Sequence, residues 1–182
     1  MLIGTGVAYL LFGAYVVMTE TRITERPLII APLMILMMIP GGGWEELGWR
    51  GFLQPALEEK FGYLLGTLMM GIIWTIWHLP LWLIQNATQK DFKVWAFGFY
   101  CITFSYLLAT AYKMTKSVFA AILLHAWGNT MCGGLYNYGI MVNGPSRKAV
   151  IILLAMVVIS TIIYYGVERL IDSKSTVQSA KR

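Results

Sequence analysis

Six side chains that exchange protons or donate hydrogen bonds lie in stretches of sequence that are otherwise strongly apolar. They are Glu45, Glu46, Arg50, His78, His125 and Asn129. Placing an Asp, Lys or Arg at the centre of a membrane helix costs about 2.5–3.5 kcal/mol, so such groups are functional candidates by default. Carboxylates and imidazoles serve general acid and base chemistry, and amides and imidazoles donate hydrogen bonds to developing negative charge.

Sequence spacing separates the two adjacent carboxylates. Side chains four residues apart share a helix face, so Glu46 is predicted to pair with Arg50. Glu45 is rotated by about 100 degrees from Glu46 and is left without a cation. Glu45 is therefore the candidate general base. The alternative interpretation makes Glu46 and Arg50 a structural pair or places them at the level of the lipid headgroups.

The two histidines of the chain lie on different apolar segments. His125 and Asn129 are four residues apart, so both can donate hydrogen bonds toward a common point. Three tryptophans whose rings could wall off a pocket flank His78: Trp74, Trp77 and Trp82. The alternatives are a histidine that only bonds between helices and, for most tryptophans, an interfacial belt.

Composition predicts a polytopic membrane protein. Of the 182 residues, 58% are hydrophobic and 13% are charged, whereas charged residues make up about a quarter of a soluble domain. The short polar breaks leave room for a single integral membrane domain over residues 1–182. The net charge of +5 comes from scattered basic residues, which does not indicate nucleic-acid binding. Cys101 and Cys132 lack a CxxC spacing, so they predict neither a disulfide framework nor a cysteine zinc site.

The predicted fold is an all-α transmembrane bundle with about six membrane segments. A spanning helix needs about 20 apolar residues, and the segments are 2–18, 28–39, 63–84, 94–114, 117–136 and 149–171. The second is predicted to break near Pro40, with a new helix starting around Gly43 and running to about Lys60. Broken backbone at membrane depth is tolerated where it lines an enclosed site. A basic tail follows over residues 172–182.

Three short motifs occur in order along the chain. "EELGWR" fits EExxxR, "WTIWH" fits an aromatic residue followed by xxxH, and "HAWGN" fits HxxxN. Over residues 40–129 the chain resembles the CPBP, or Abi, family of intramembrane glutamate proteases, which includes type II CAAX prenyl proteases and bacteriocin-related proteins. The protease core would span about 40–136. The second motif of the family usually begins with Phe, and this chain has Trp74.

The resemblance implies a role for each motif residue. Glu45 would activate the attacking water, and His78 would hold and polarise it. Glu46 and Arg50 would be the supporting pair. The groups that stabilise the oxyanion would be His125 and Asn129. The resemblance further implies a metal-independent endopeptidase without a cofactor.

The expected partners are the lipid bilayer and a membrane-associated protein or peptide, cleaved in CAAX-type processing or in bacteriocin maturation and self-immunity. The expected localisation is an integral, multi-pass membrane protein, in the plasma membrane if the source is prokaryotic. One alternative is a zinc metalloprotease with Glu45, His78 and His125 as ligands, although HExxH is absent. The other is a non-catalytic immunity protein that binds a peptide.

Overall fold

The computed structural model describes residues 43–133 and 141–179, with the side chains of 127, 130–133 and 171–179 left aside. Throughout these two ranges the regular structure is helical, and no strand occurs in them. The all-α prediction is confirmed. The predicted segments 2–18 and 28–39 and the break near Pro40 lie outside the described residues.

Four long helices follow a compound helical segment. This motif segment, residues 43–53, consists of a 3-10 turn Gly43–Glu45, an α turn Glu46–Gly48 and a π turn Trp49–Leu53. It continues into α1 (Gln54–His78), which ends in the 3-10 turn Leu79–Leu83. A short 3-10 turn, Thr88–Asp91, precedes the remaining long helices. These are α2 (Val94–Thr115), α3 (Val118–Gly133) and α4 (Arg147–Ser179).

Helix α1 consists of two arms that meet at Gly62. Gly62 has φ +74 and ψ 170, a left-handed conformation that glycine adopts without steric cost. A Cβ built on Gly66 would lie 2.9 Å from the Leu57 carbonyl carbon, so the arms fold against each other. The sequence predicted this division, since its interpretation ended one helix near residue 60 and began the next segment at residue 63.

Within the described ranges, three helices are long and apolar enough to cross a membrane: Gly43–Leu83, Val94–Thr115 and Arg147–Leu170. Of the residues in the most apolar stretch of α2, 67% are buried, compared with 11% in that of α4. Helix α2 is therefore central and helix α4 peripheral. Large side chains of α4, such as Ile151 and Ile162, are exposed, as expected for a surface that contacts lipid. The chain is thus an integral membrane protein.

Helices α1 and α2 cross at a glycine. A Cβ on Gly71 would lie 2.6 Å from the Cα of Ile102, and small residues permit such close approach between membrane helices. We expect Gly71→Ala to lower the free energy of unfolding by about 1–3 kcal/mol, because the helices must separate. SDS titration in mixed micelles measures this. Gly166→Ala is the control, since nothing lies within 4 Å of a Cβ there; equal losses would contradict the prediction.

Candidate active site

The π turn aligns a row of polar side chains on one side of the motif segment. In an α-helix each step of four residues drifts by about 40 degrees, and a wider π turn removes part of that drift. The backbone N–H of Gln54 bonds the carbonyl of Trp49 and closes the turn. As a result Glu46, Arg50 and Gln54 are all 0% exposed. Single π turns occur frequently at functional sites.

Glu46 is the acceptor for two other members of the predicted set. Arg50 Nη1 donates to Glu46 Oε1 at 3.0 Å, and both side chains are fully buried, which confirms the predicted pair. His125 Nδ1 lies 2.7 Å from the same oxygen, and His125 is also buried. The contact between His125 and Glu46 was not predicted, because the two residues are far apart in sequence and lie on different helical elements.

The buried ion pair is incompletely satisfied by protein groups. Within the described residues Glu46 Oε2, Arg50 Nε and Arg50 Nη2 have no hydrogen-bond partner. The guanidinium carbon of Arg50 lies 5.3 Å from the centroid of the Trp74 ring, a favourable cation–π distance. Desolvating two charges is costly even when they pair. A contribution to stability alone therefore does not explain why this pair is buried.

Glu45 is held by indole groups rather than by a cation. Trp74 Nε1 donates to Glu45 Oε2 at 2.9 Å, and Trp49 Nε1 donates to the same oxygen at 3.3 Å. No ion pair of Glu45 occurs among the described residues. Trp49 and Trp74 thus bond a side chain of the bundle, and the four-residue step from Glu45 to Trp49 was the sequence signal for one of these two bonds.

His78 is oriented by the backbone of its own helix. Its Nδ1 lies 2.8 Å from the carbonyl oxygen of Trp74. Because a carbonyl only accepts, Nδ1 carries the proton and Nε2 of the neutral ring is an acceptor. The rings of Trp77 and Phe97 lie 4.9 and 5.0 Å from the imidazole. Of the predicted aromatic wall, the rings of Trp74 and Trp77 pack against His78. The ring of Trp82 packs against Phe97 instead.

One tryptophan contacts most of the predicted set. Besides its bonds to Glu45 and His78, the Trp74 ring lies 5.1 Å from that of His125. Asn129 lies one turn beyond His125 on α3 and is half-buried. The described structure thus brings the carboxylates, Arg50 and both histidines around Trp74. The role of Asn129 stays a prediction.

A polar ladder continues from this cluster across the bend of α1. Gln54 Nε2 donates to Thr67 Oγ1 at 2.8 Å and to Glu58 Oε1 at 2.7 Å. The hydroxyl of Tyr164 on α4 donates to Glu58 Oε2 at 2.7 Å. These bonds fix the angle between the two arms of α1, one of which continues the motif segment while the other carries Trp74 and His78. Sequence reasoning did not find Gln54 or Thr67.

The zinc alternative finds no support in the geometry of the described residues. Among them no three His, Cys, Asp or Glu side chains are grouped as ligands for a metal ion. Glu45 Oε2 accepts hydrogen bonds from two indoles, and His125 Nδ1 is hydrogen-bonded to Glu46. The zinc alternative, with Glu45, His78 and His125 as ligands, therefore stays a prediction that a chelation test addresses.

Comparison with known proteins gives one family. A family model described as type II CAAX prenyl endopeptidase Rce1-like matches residues 27–131, more than half of the chain and all six candidate residues. CAAX prenyl protease 2 of Methanococcus maripaludis is 29% identical over 102 residues. That match covers 52% of this chain and 37% of the relative. No solved structure matches the chain.

Proposed function

This chain belongs to the Rce1-like family of type II CAAX prenyl endopeptidases, and from that premise we propose that it is an intramembrane endopeptidase whose attacking water is activated by Glu45. The observation that carries the proposal is the cluster around Trp74. In it, the indole of Trp74 bonds Glu45, which forms no ion pair among the described residues, and the carbonyl of Trp74 bonds His78, whose Nε2 is an available acceptor. A general base and a group that orients the water are what peptide hydrolysis requires.

Glu45 and His78 have different roles toward the attacking water. Both indole bonds of Glu45 reach Oε2, so Oε1 is the oxygen that takes the proton of the water. Nε2 of His78 accepts the second water proton in a hydrogen bond and fixes the direction of the oxygen lone pair. The water oxygen then adds to the carbonyl carbon of the scissile bond, and the resulting tetrahedral intermediate carries an oxyanion.

His125 and Asn129 stabilise that oxyanion. With Nδ1 donating to Glu46, His125 presents Nε2 to the substrate, and Nε2–H is a donor only in the imidazolium form. Asn129 supplies a neutral donor from the same helix. The proton held by Glu45 passes to the departing amine as the C–N bond breaks, giving an acid and an amine.

The substrate class follows from the family and from the membrane. The curated relative is named as a CAAX prenyl protease, so we infer that the substrate is a membrane-associated protein or peptide that ends in a CAAX sequence with a prenylated cysteine. Exposed apolar side chains of the motif segment and α1 border the site, among them Trp44, Leu47 and Trp77. They offer a surface on which a lipidated chain could approach from the bilayer.

A reconstituted cleavage assay tests the function. The full chain in proteoliposomes is incubated with a farnesylated CAAX peptide and with the same peptide lacking the lipid, and products are identified by mass spectrometry. We expect one internal cleavage of the lipidated peptide. Membrane proteomes of cells with wild-type and Glu45→Ala protein are compared in parallel. No cleavage in the assay and identical proteomes would overturn the proposal.

Chelation separates the glutamate mechanism from the zinc alternative. We expect 1,10-phenanthroline and EDTA to leave the cleavage rate unchanged, because in the proposed mechanism the Glu45 carboxylate takes the proton of the water directly. Activity that chelators abolish and that added zinc restores would contradict the glutamate mechanism. The endopeptidase function itself would survive that result, so the two parts of the proposal are tested separately.

A further inference from the structure

We propose that Trp74 is a positioning residue that sets the geometry of the general base through its indole N–H, with Trp49 as a weaker second donor. The inference rests on the proposed function, since it concerns the carboxylate assigned there as the base. The indole N–H of Trp74 determines which oxygen of Glu45 faces the water.

The two donors act on a single oxygen. Trp74 Nε1 lies 2.9 Å and Trp49 Nε1 lies 3.3 Å from Glu45 Oε2, and no other hydrogen bond to Glu45 is formed by the described residues. Hydrogen bonds to an ionised carboxylate are among the stronger ones in proteins. They fix the rotation of the carboxylate, so that Oε1 is presented to water in one orientation rather than many.

Trp74 is itself held rigidly. It is 2% exposed, it stacks against Phe104 with ring centroids 6.3 Å apart, and the imidazole of His125 meets its ring edge to face. Its carbonyl also bonds His78 Nδ1. The base and the water-orienting histidine are therefore both bonded to one rigidly packed residue. Catalytic groups keep their geometry when the residues that bond them are themselves held by packing.

Removing only the N–H tests this role. In Trp74→Phe a smaller aromatic ring replaces the indole and the donor is lost; replacing Trp74 by benzothienylalanine keeps the ring size and exchanges N–H for sulfur. We expect kcat on the farnesylated peptide to fall about 10- to 100-fold in both, with KM within about twofold, because misplacing a catalytic group slows chemistry more than binding. Full kcat with benzothienylalanine would show that ring packing suffices and would overturn the proposal.

Tyr106→Phe is the matched control. The hydroxyl of Tyr106 donates to the Leu64 carbonyl at 2.8 Å, so the control loses an aromatic hydrogen bond of similar length that does not involve Glu45. We expect its kcat to stay within about twofold of wild type. A loss equal to that of Trp74→Phe would assign the effect to general packing and contradict the proposal.

An NMR measurement tests the hydrogen bond between Trp74 and Glu45 without depending on activity. The indole N–H resonances of Trp74 and Trp82 are recorded in detergent micelles by nitrogen-15 NMR for wild type and for Glu45→Leu. We expect the Trp74 resonance to shift and the Trp82 resonance to stay. An unshifted Trp74 resonance would overturn the inference even if the enzyme is active. A shifted resonance in a protein without cleavage would support the bond and refute the endopeptidase function alone.

Discussion

Glu45→Gln is expected to lower kcat for peptide cleavage at least about 100-fold, because general base catalysis contributes about 10²–10⁴ in rate. The amide oxygen of glutamine still accepts hydrogen bonds from Trp74 and Trp49, so the local fold is retained while the proton acceptor is lost. Initial rates on the farnesylated peptide in proteoliposomes measure the effect. Thermal unfolding in detergent should be nearly unchanged.

Two further variants make this result specific. Glu59→Gln removes an exposed carboxylate away from the site and should leave kcat unchanged. Glu45→Asp keeps a carboxylate but retracts it by one methylene, so it should fall between wild type and Glu45→Gln. If Glu45→Gln cleaved at the wild-type rate, Glu45 would not be the base, whatever the family predicts.

Local features of the site were predictable from sequence. The Glu46–Arg50 pair follows from a four-residue step on a helix, and it is present at 3.0 Å. The central span was predicted as 94–114 and is Val94–Thr115, because a long apolar run between polar breaks determines its own limits. The separation of Glu45 from the cation also followed from helix geometry alone.

Contacts between helices were not predictable in the same way. Glu46 and His125 are 79 residues apart and Glu45 and Trp74 are 29 apart, so both contacts depend on how the helices are rotated against one another. A tryptophan in a membrane protein either lies at the interface or bonds inside the bundle. Sequence cannot separate these roles for Trp74, because the choice depends on depth and packing. The π turn at Trp49–Leu53 likewise has no clear sequence signal.

Arg50→Met is expected to lower the free energy of unfolding by about 3–5 kcal/mol, because it leaves the carboxylate of Glu46 buried without its guanidinium partner. Both side chains are fully buried, so water cannot take over the lost interaction. SDS titration in mixed micelles gives the change. As control, Lys113→Met breaks a partly exposed pair with Glu168, with side chains 16% and 41% exposed, and should cost about 1 kcal/mol or less.

A double-variant cycle then distinguishes a buried charge from lost packing. Glu46→Leu alone leaves Arg50 buried without its carboxylate, whereas Glu46→Leu with Arg50→Met removes both charges and keeps the volume. Since apolar replacement of a whole buried pair is often neutral, the remaining cost should be about 1–3 kcal/mol, the penalty for His125 Nδ1 without its acceptor. Strictly additive losses would show that the charges do not interact. A strong coupling would instead show that Arg50 and Glu46 stabilise each other in the bundle, so that Arg50 holds in place the carboxylate that His125 contacts.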